Sequence, residues 1–245
     1  MKDKRLLVVS AHAADFVWRG GGTIAKYLEA GAEVKLIILS VGVRGESNDL
    51  WKIEGNTYDS IKERRIGEVE TALGHIGFKG LGQDVEFWDW EDYHMDFCQE
   101  RMEKMIRTIR DFAPTDILSH GPGDAFNPDH ENVSRFVFES NVLAISAGVR
   151  LEGTQSVKQA RIFGFEPHQT EVSGFEPHII IDITDTYEQK EKAMEVFLAQ
   201  PHLIQYYKDR AQMRGNHARR CSGNQQYRQA ESFTRRFPCV SGEFV

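Results

Sequence analysis

Short apolar stretches alternate along the chain with longer segments of helical spacing. RLLVVS (5–10) predicts a first strand, GGGTIAKYLEAG (20–31) a helix closed by Gly31, and AEVKLIILSVG (32–42) a second strand. Residues 56–78 place Ile61, Val69 and Leu73 on one helical face. VEFWDW (85–90) predicts a third strand, 97–112 an amphipathic helix, TDILSH (115–120) a fourth strand and 130–148 a further helix. Strands this short and apolar, separated by helices, imply a mostly parallel sheet covered on both faces, a Rossmann-like α/β fold. Such sheets bind ligands beyond the carboxyl ends of their strands. Strands one, two and four each run at once into polar or charged residues there.

The last third changes character. ARIFGFEPH (160–168) and PHIIIDIT (177–184) predict a C-terminal strand pair, and GFEPH occurs at both 164–168 and 174–178. That offset is too short for a repeat architecture and fits a hairpin. Asp185 and Glu188 fit a capping box opening a helix over 186–200. The Arg-, Gln- and His-rich tail reads either as a mobile surface segment or as an arm completing a neighbouring pocket. No long linker interrupts the chain, so residues 1–245 are expected to form one domain with a helical extension over about 185–245.

Charge and cysteine content narrow the class. Thirty Lys and Arg stand against 37 Asp and Glu, a net charge of −7 of mixed sign, which argues against nucleic acid as a partner. Cys98, Cys221 and Cys239 are odd in number and widely spaced, as free thiols in a reducing cytoplasm would be. Neither a signal-peptide pattern nor a run of about 18 apolar residues occurs, so a cytoplasmic protein without membrane contact is expected. A homo-oligomer is compatible with all of this.

The candidate chemistry lies at two strand ends. His12 and Asp15 follow strand one in AHAADF, and SHGPGDAFNPDHENV (119–133) offers His120, Asp124, Asp129 and His130 after strand four. Carboxylate and neutral imidazole are good ligands for zinc and similar divalent ions, and catalytic sites commonly use three protein ligands and leave one position open. The plainer alternative makes His12 a satisfied core histidine and Asp15 and Asp129 helix caps. The joint occurrence of both clusters favours a metal site. GGGTIA (20–25) matches the G-x-G-x-x-A pattern of dinucleotide sites, but it does not follow its strand at once, and strand two ends in Leu39-Ser40 rather than in an acid. Its glycines read instead as close packing at a helix start.

The stretches VVSAHAADFVWRGGGTIAKYLEAGAEVKLIILSVG and SHGPGDAFNPDH resemble the two signature regions of the LmbE-like deacetylases, the PIG-L superfamily. The resemblance runs from residue 5 to about 150, and more weakly through KEKAMEVFLAQ. It implies a Rossmann-like sheet and a zinc site, with His12, Asp15 and His130 as the ligands. It also shows two departures. Where the deacetylases carry a general-base Asp this chain has Ala14, and where they carry an oxyanion-stabilising His it has Asn127. Those losses together would remove about 10²–10⁴ and about 10²–10³ in rate, so amide hydrolysis is not expected to survive them.

SAHAADFVWRGGG followed by LSVGVRGESNDLWK (39–52) is similar to a lyase branch of the same superfamily, the 4-oxalomesaconate hydratases of gallate and protocatechuate breakdown. That resemblance implies water addition to a carbon–carbon double bond of a small unsaturated polycarboxylate. Glu46 is then the expected proton carrier and His168 a second catalytic candidate. Arg19, Arg44 and Asn127 are expected to hold substrate, since guanidinium pairs bidentately with carboxylate. A deacetylase with a displaced base and a metal-binding relative without catalysis are the competing readings.

Overall fold

The predicted alternation closes into a seven-stranded sheet in a computed structural model that describes residues 1–93 and 95–243. Five strands run parallel: β1 (Arg5–Ser10), β2 (Glu33–Ile38), β3 (Val85–Phe87), β4 (Asp116–His120) and β5 (Arg161–Phe165). With β6 (Ile179–Asp182) and β7 (Ala230–Arg235) the order is β3-β2-β1-β4-β5-β7-β6. Side chains alternate across β1. Leu6 and Val8 enter a core shared with α1 (Asp15–Glu29), α3 (Tyr58–Ile76), α6 (Tyr187–Glu195) and α7 (His202–Ser222), while the one-turn α2 (Asn48–Trp51) lies between β2 and α3. Leu7 and Val9 enter the opposite core, filled by Ile106 and Ile109 of α4 (Gln99–Phe112) and Phe136 and Val137 of α5 (Pro128–Ile145). Burial on both faces is why the β1 run LLVV is apolar at every position rather than alternating with polar residues. Among the described residues no helix is long and apolar enough to cross a membrane.

The expected first helix starts five residues earlier than its glycines suggest, at Asp15, and Gly20, Gly21 and Gly22 lie in its middle. A Cβ on Gly20 would fall 2.9 Å from the Phe165 ring, and one on Gly22 would fall 2.6 Å and 2.8 Å from Ile183 Cδ1 and Cβ. The glycines are therefore close packing, as expected, but of a helix interior against β5 and the segment after β6. We expect Gly22→Ala to destabilise the protein by up to about 2 kcal/mol, since an overpacking cost of about 1–3 kcal/mol outweighs the ~1 kcal/mol gain in helix propensity. Urea unfolding reads this directly, and an unchanged or raised midpoint would show that Ile183 yields.

The C-terminal third departs most from expectation. β5 and β6 do not form a hairpin with one another; β7 enters between them, antiparallel to both. The tail is neither a mobile segment nor a purely helical extension, but contributes α7 and this inner strand. β7 reads AESFTR, too polar to be recognised, because its Glu231 is buried against Lys190 Nζ at 2.6 Å. The same carboxylate accepts the Gly22 and Thr23 N–H groups at 3.1 and 2.8 Å, and Lys190 also donates to the Trp18 carbonyl at 2.8 Å. The expected capping box at Asp185 and Glu188 is absent. Residues Thr184–Thr186 form a 3-10 turn, and the Thr186 hydroxyl at the N-cap of α6 donates to the Gly22 carbonyl instead. α6 ends at Glu195 rather than at residue 200, and the turn that follows carries Gln200 toward the ends of the parallel strands.

Candidate metal centre and catalytic cleft

β1 and β4 are neighbours from which the chain order runs in opposite directions, the crevice where open α/β sheets bind ligands. Beyond β1 the backbone turns tightly: Ser10 Oγ donates to the His12 carbonyl at 2.7 Å and accepts the Phe16 N–H. Ala11, Ala13 and Ala14 are buried there, and Ala14 is the N-cap of α1. Asp15 Oδ2 accepts the His12 N–H at 2.9 Å. Beyond β4, Asn127 caps α5 by accepting the Asp129 N–H at 3.1 Å, which sets His130 in the first turn.

The two turns bring His12, Asp15 and His130 together, all buried. His12 Nδ1, Asp15 Oδ2 and His130 Nε2 form a triangle with each side 3.3 Å. Tetrahedral zinc, with bonds of about 2.0–2.1 Å, spaces its ligand atoms by about 3.4 Å. The other nitrogen of each imidazole faces a carboxylate: His12 Nε2 lies 3.0 Å from Asp129 Oδ2 and His130 Nδ1 2.8 Å from Asp124 Oδ2. That is the usual outer arrangement of metal-binding histidines, fixing the tautomer so that the free lone pair points at the ion. The donor set and its geometry fit a divalent cation.

The electrostatics agree. Burial by itself would lower the His12 pKa, but Glu46, Asp129 and Asp15 outweigh it and hold it well above the ordinary value. Burial opposes ionisation of Asp15, yet His130 and His120 keep its pKa well below the carboxylate range. Asp124 is brought down to about 2 against its burial, by His130 and Arg19. A pocket so rich in buried carboxylate calls for positive charge. His120, also a candidate from the sequence, accepts the Ala11 N–H through Nε2 at 3.0 Å and stacks on His130, so it supports the turn.

Beside the triangle opens a cleft of about 480 Å³ whose lining includes Glu46, Tyr93, Asn127, His168, Gln200 and Tyr206. Glu46 Oε1 lies 3.9 Å from His12 Nδ1. Its carboxylate accepts from Tyr93 Oη at 3.2 Å, Asn127 Nδ2 at 3.0 Å and Gln200 Nε2 at 2.9 Å. The loop carrying Glu46 has room only for glycine at position 45, since a Cβ there would fall on the Tyr93 ring. Tyr93 itself is held at φ +64°, its N–H donating to Asp129 Oδ2 at 2.7 Å. Burial and the Glu46 charge raise the Tyr93 pKa, so the phenol stays a donor.

The expected arginines lie elsewhere. Arg19 is buried behind the ligands, donating to Asp124 Oδ2 at 3.1 Å and the Glu166 carbonyl at 3.3 Å, with Nε 3.6 Å from Asp15 Oδ1. Arg44 is exposed, paired with Glu91 at 3.1 Å, and is not among the lining residues. Tyr93 and Gln200 carry no signal of their own in the sequence. The rule that ligands sit beyond strand ends, applied to β3, would have drawn attention to the loop holding Tyr93.

A buried His-Asp-His triangle able to hold a metal ion, set at the switch point of a mostly parallel sheet, is the class of site this fold presents. The chain belongs to the PIG-L family, described as GlcNAc-PI de-N-acetylase, whose profile matches residues 7–141. It is 36% identical over 220 residues to a 4-oxalmesaconate hydratase of Pseudomonas putida, covering 90% of this chain and 83% of that protein. The crystal structure of a 4-carboxy-2-hydroxymuconate hydratase from Pseudomonas putida superposes with a TM-score of 0.91 at 33% identity, covering 99% of this chain and 100% of the other. An N,N'-diacetylchitobiose deacetylase from Pyrococcus horikoshii shares the fold at a TM-score of 0.78 and 20% identity, covering 96% and 84% of the two chains.

Proposed function

We propose that this protein is a zinc-dependent hydro-lyase that adds water to the carbon–carbon double bond of 4-oxalomesaconate, as keto form or enol tautomer, to give 4-carboxy-4-hydroxy-2-oxoadipate. The observation that carries the reading is the placement of Glu46: a carboxylate 3.9 Å from a metal-ligand atom, held by three side-chain donors, where Ala14 leaves the deacetylase base missing. Asn127, at the position of the deacetylase histidine, is occupied in holding Glu46. The similarity to the hydratases supports the same assignment.

His12, Asp15 and His130 would hold the zinc ion, which would supply Lewis-acid polarisation there. Hydration puts a hydroxyl on the carbon β to a carboxylate and a proton on the α carbon. Glu46 takes the proton from the incoming water and returns it to the α carbon, with His168 assisting from the cleft wall. Asn127 is the one of the three expected substrate-binding residues that lines the cleft. Arg19 acts through Asp15 and Asp124, and Arg44 reaches substrate only if it leaves Glu91. The reading places the protein in the cytoplasm, in gallate or protocatechuate breakdown; its unpaired Cys98, Cys221 and Cys239 suit a reducing compartment.

Parallel assays with 4-oxalomesaconate and an N-acetylated amino sugar test this. Turnover of the first and none of the second is expected. Robust release of acetate from the sugar would replace the hydratase reading with the deacetylase one.

A further inference from the structure

His168 meets the cleft with one edge of its ring and the core with the other. On the core side its Nδ1 lies 2.9 Å from the hydroxyl of Tyr207, a buried residue of α7 stacked on Trp18 with ring centroids 5.5 Å apart. Its carbonyl is held by Tyr206 and Arg210. Nε2 has no protein partner among the described residues, and the ring lines the cleft.

We infer that Tyr207 donates its hydroxyl proton to His168 Nδ1 and thereby fixes the imidazole as its Nε2–H tautomer, so that His168 serves as a hydrogen-bond donor to a substrate oxygen and not as a base. Its role toward substrate rests on the hydratase reading; the tautomer does not.

The argument is one of satisfying a buried donor. The only hydrogen-bond partner of the Tyr207 hydroxyl among the described residues is His168 Nδ1. Were the proton on Nδ1, that N–H would donate to the tyrosine oxygen and leave the buried phenolic O–H without an acceptor, a costly arrangement. Donation from Tyr207 satisfies both groups. The surroundings reinforce it: burial raises the Tyr207 pKa, and burial with the nearby Arg19 charge holds that of His168 well below its ordinary value. The phenol stays protonated and the imidazole neutral. A neutral ring accepting at Nδ1 must carry its proton on Nε2. The work then divides cleanly between the two sides of the cleft, with Glu46 accepting protons and His168 presenting one. Tyr207 is a positioning residue, touching His168 and no substrate.

The test is NMR of zinc-loaded, substrate-free protein labelled with ¹⁵N-histidine, with the His168 signals assigned by their loss in His168→Gln. A pyrrole-like Nε2 and a pyridine-like Nδ1 are expected; the opposite assignment overturns the inference. Because no substrate is present, failure of the hydratase reading would leave this result untouched. Tyr207→Phe keeps the stack on Trp18 and removes the donor. It should abolish the tautomer preference and lower kcat by about 5- to 10-fold, the factor for one ordinary hydrogen bond, with little change in KM. An unchanged tautomer in that variant, whatever its rate, contradicts the positioning role. If the variant does not fold, the spectrum of the native protein still decides.

Discussion

Glu46→Gln is expected to lower turnover by about 10²–10⁴ while leaving fold and metal content intact. The geometry makes this an unusually clean substitution. The amide oxygen can keep the bonds from Tyr93 and Asn127 that the carboxylate accepts at Oε1. The new NH₂ group would face Gln200, whose own amide need only turn over to present its oxygen. Shape and hydrogen bonding survive, and what is lost is a group able to take and return a proton. The defect should therefore appear in kcat with KM little changed. Near-normal turnover would remove Glu46 from the mechanism and leave His168 as the group to be explained.

Loss of a ligand should be as severe by a different route. His12→Ala and Asp15→Ala each take away one corner of the 3.3 Å triangle. Deleting an outer partner of a metal ligand typically lowers affinity by about 10–100-fold, and deleting the ligand itself should exceed that. Metal analysis of the purified variants is expected to show strongly reduced occupancy, with turnover falling in proportion. Full occupancy in both would contradict the assignment of the centre. Asp15→Ala also strips the His12 N–H of its acceptor, so circular dichroism should accompany the measurement.

Much of this architecture was legible because it obeys simple periodicities. β1 and β4 and the second half of β2 are buried and centre on short apolar runs, and His12, Asp15 and His130 sit where such sheets place their ligands. What escaped was held by buried polar contacts that hydrophobic patterning does not register. β7 is hidden behind Glu231, whose burial makes sense only once Lys190 and the open middle of α1 are known. Gly20–Gly22 suggested a helix start because glycine disfavours helix interiors; contact with Phe165 and Ile183, distant in sequence, overrides that preference. Within the cleft, Glu46 was found through resemblance, whereas Tyr93 and Gln200, and Tyr207 behind His168, come from three separate segments and meet only in the folded chain. Arg44 illustrates the reverse: a plausible carboxylate binder by type and position, its guanidinium turns outward to Glu91.

The most direct test of the account is to follow hydration of 4-oxalomesaconate while bound metal is varied. Protein stripped by a chelator should lose turnover, and activity should return in step with zinc up to one ion per chain, with no return in His12→Ala. Full hydration by metal-free protein, or none by zinc-loaded protein, would contradict the claim that this His-Asp-His centre and its neighbouring Glu46 form a hydratase.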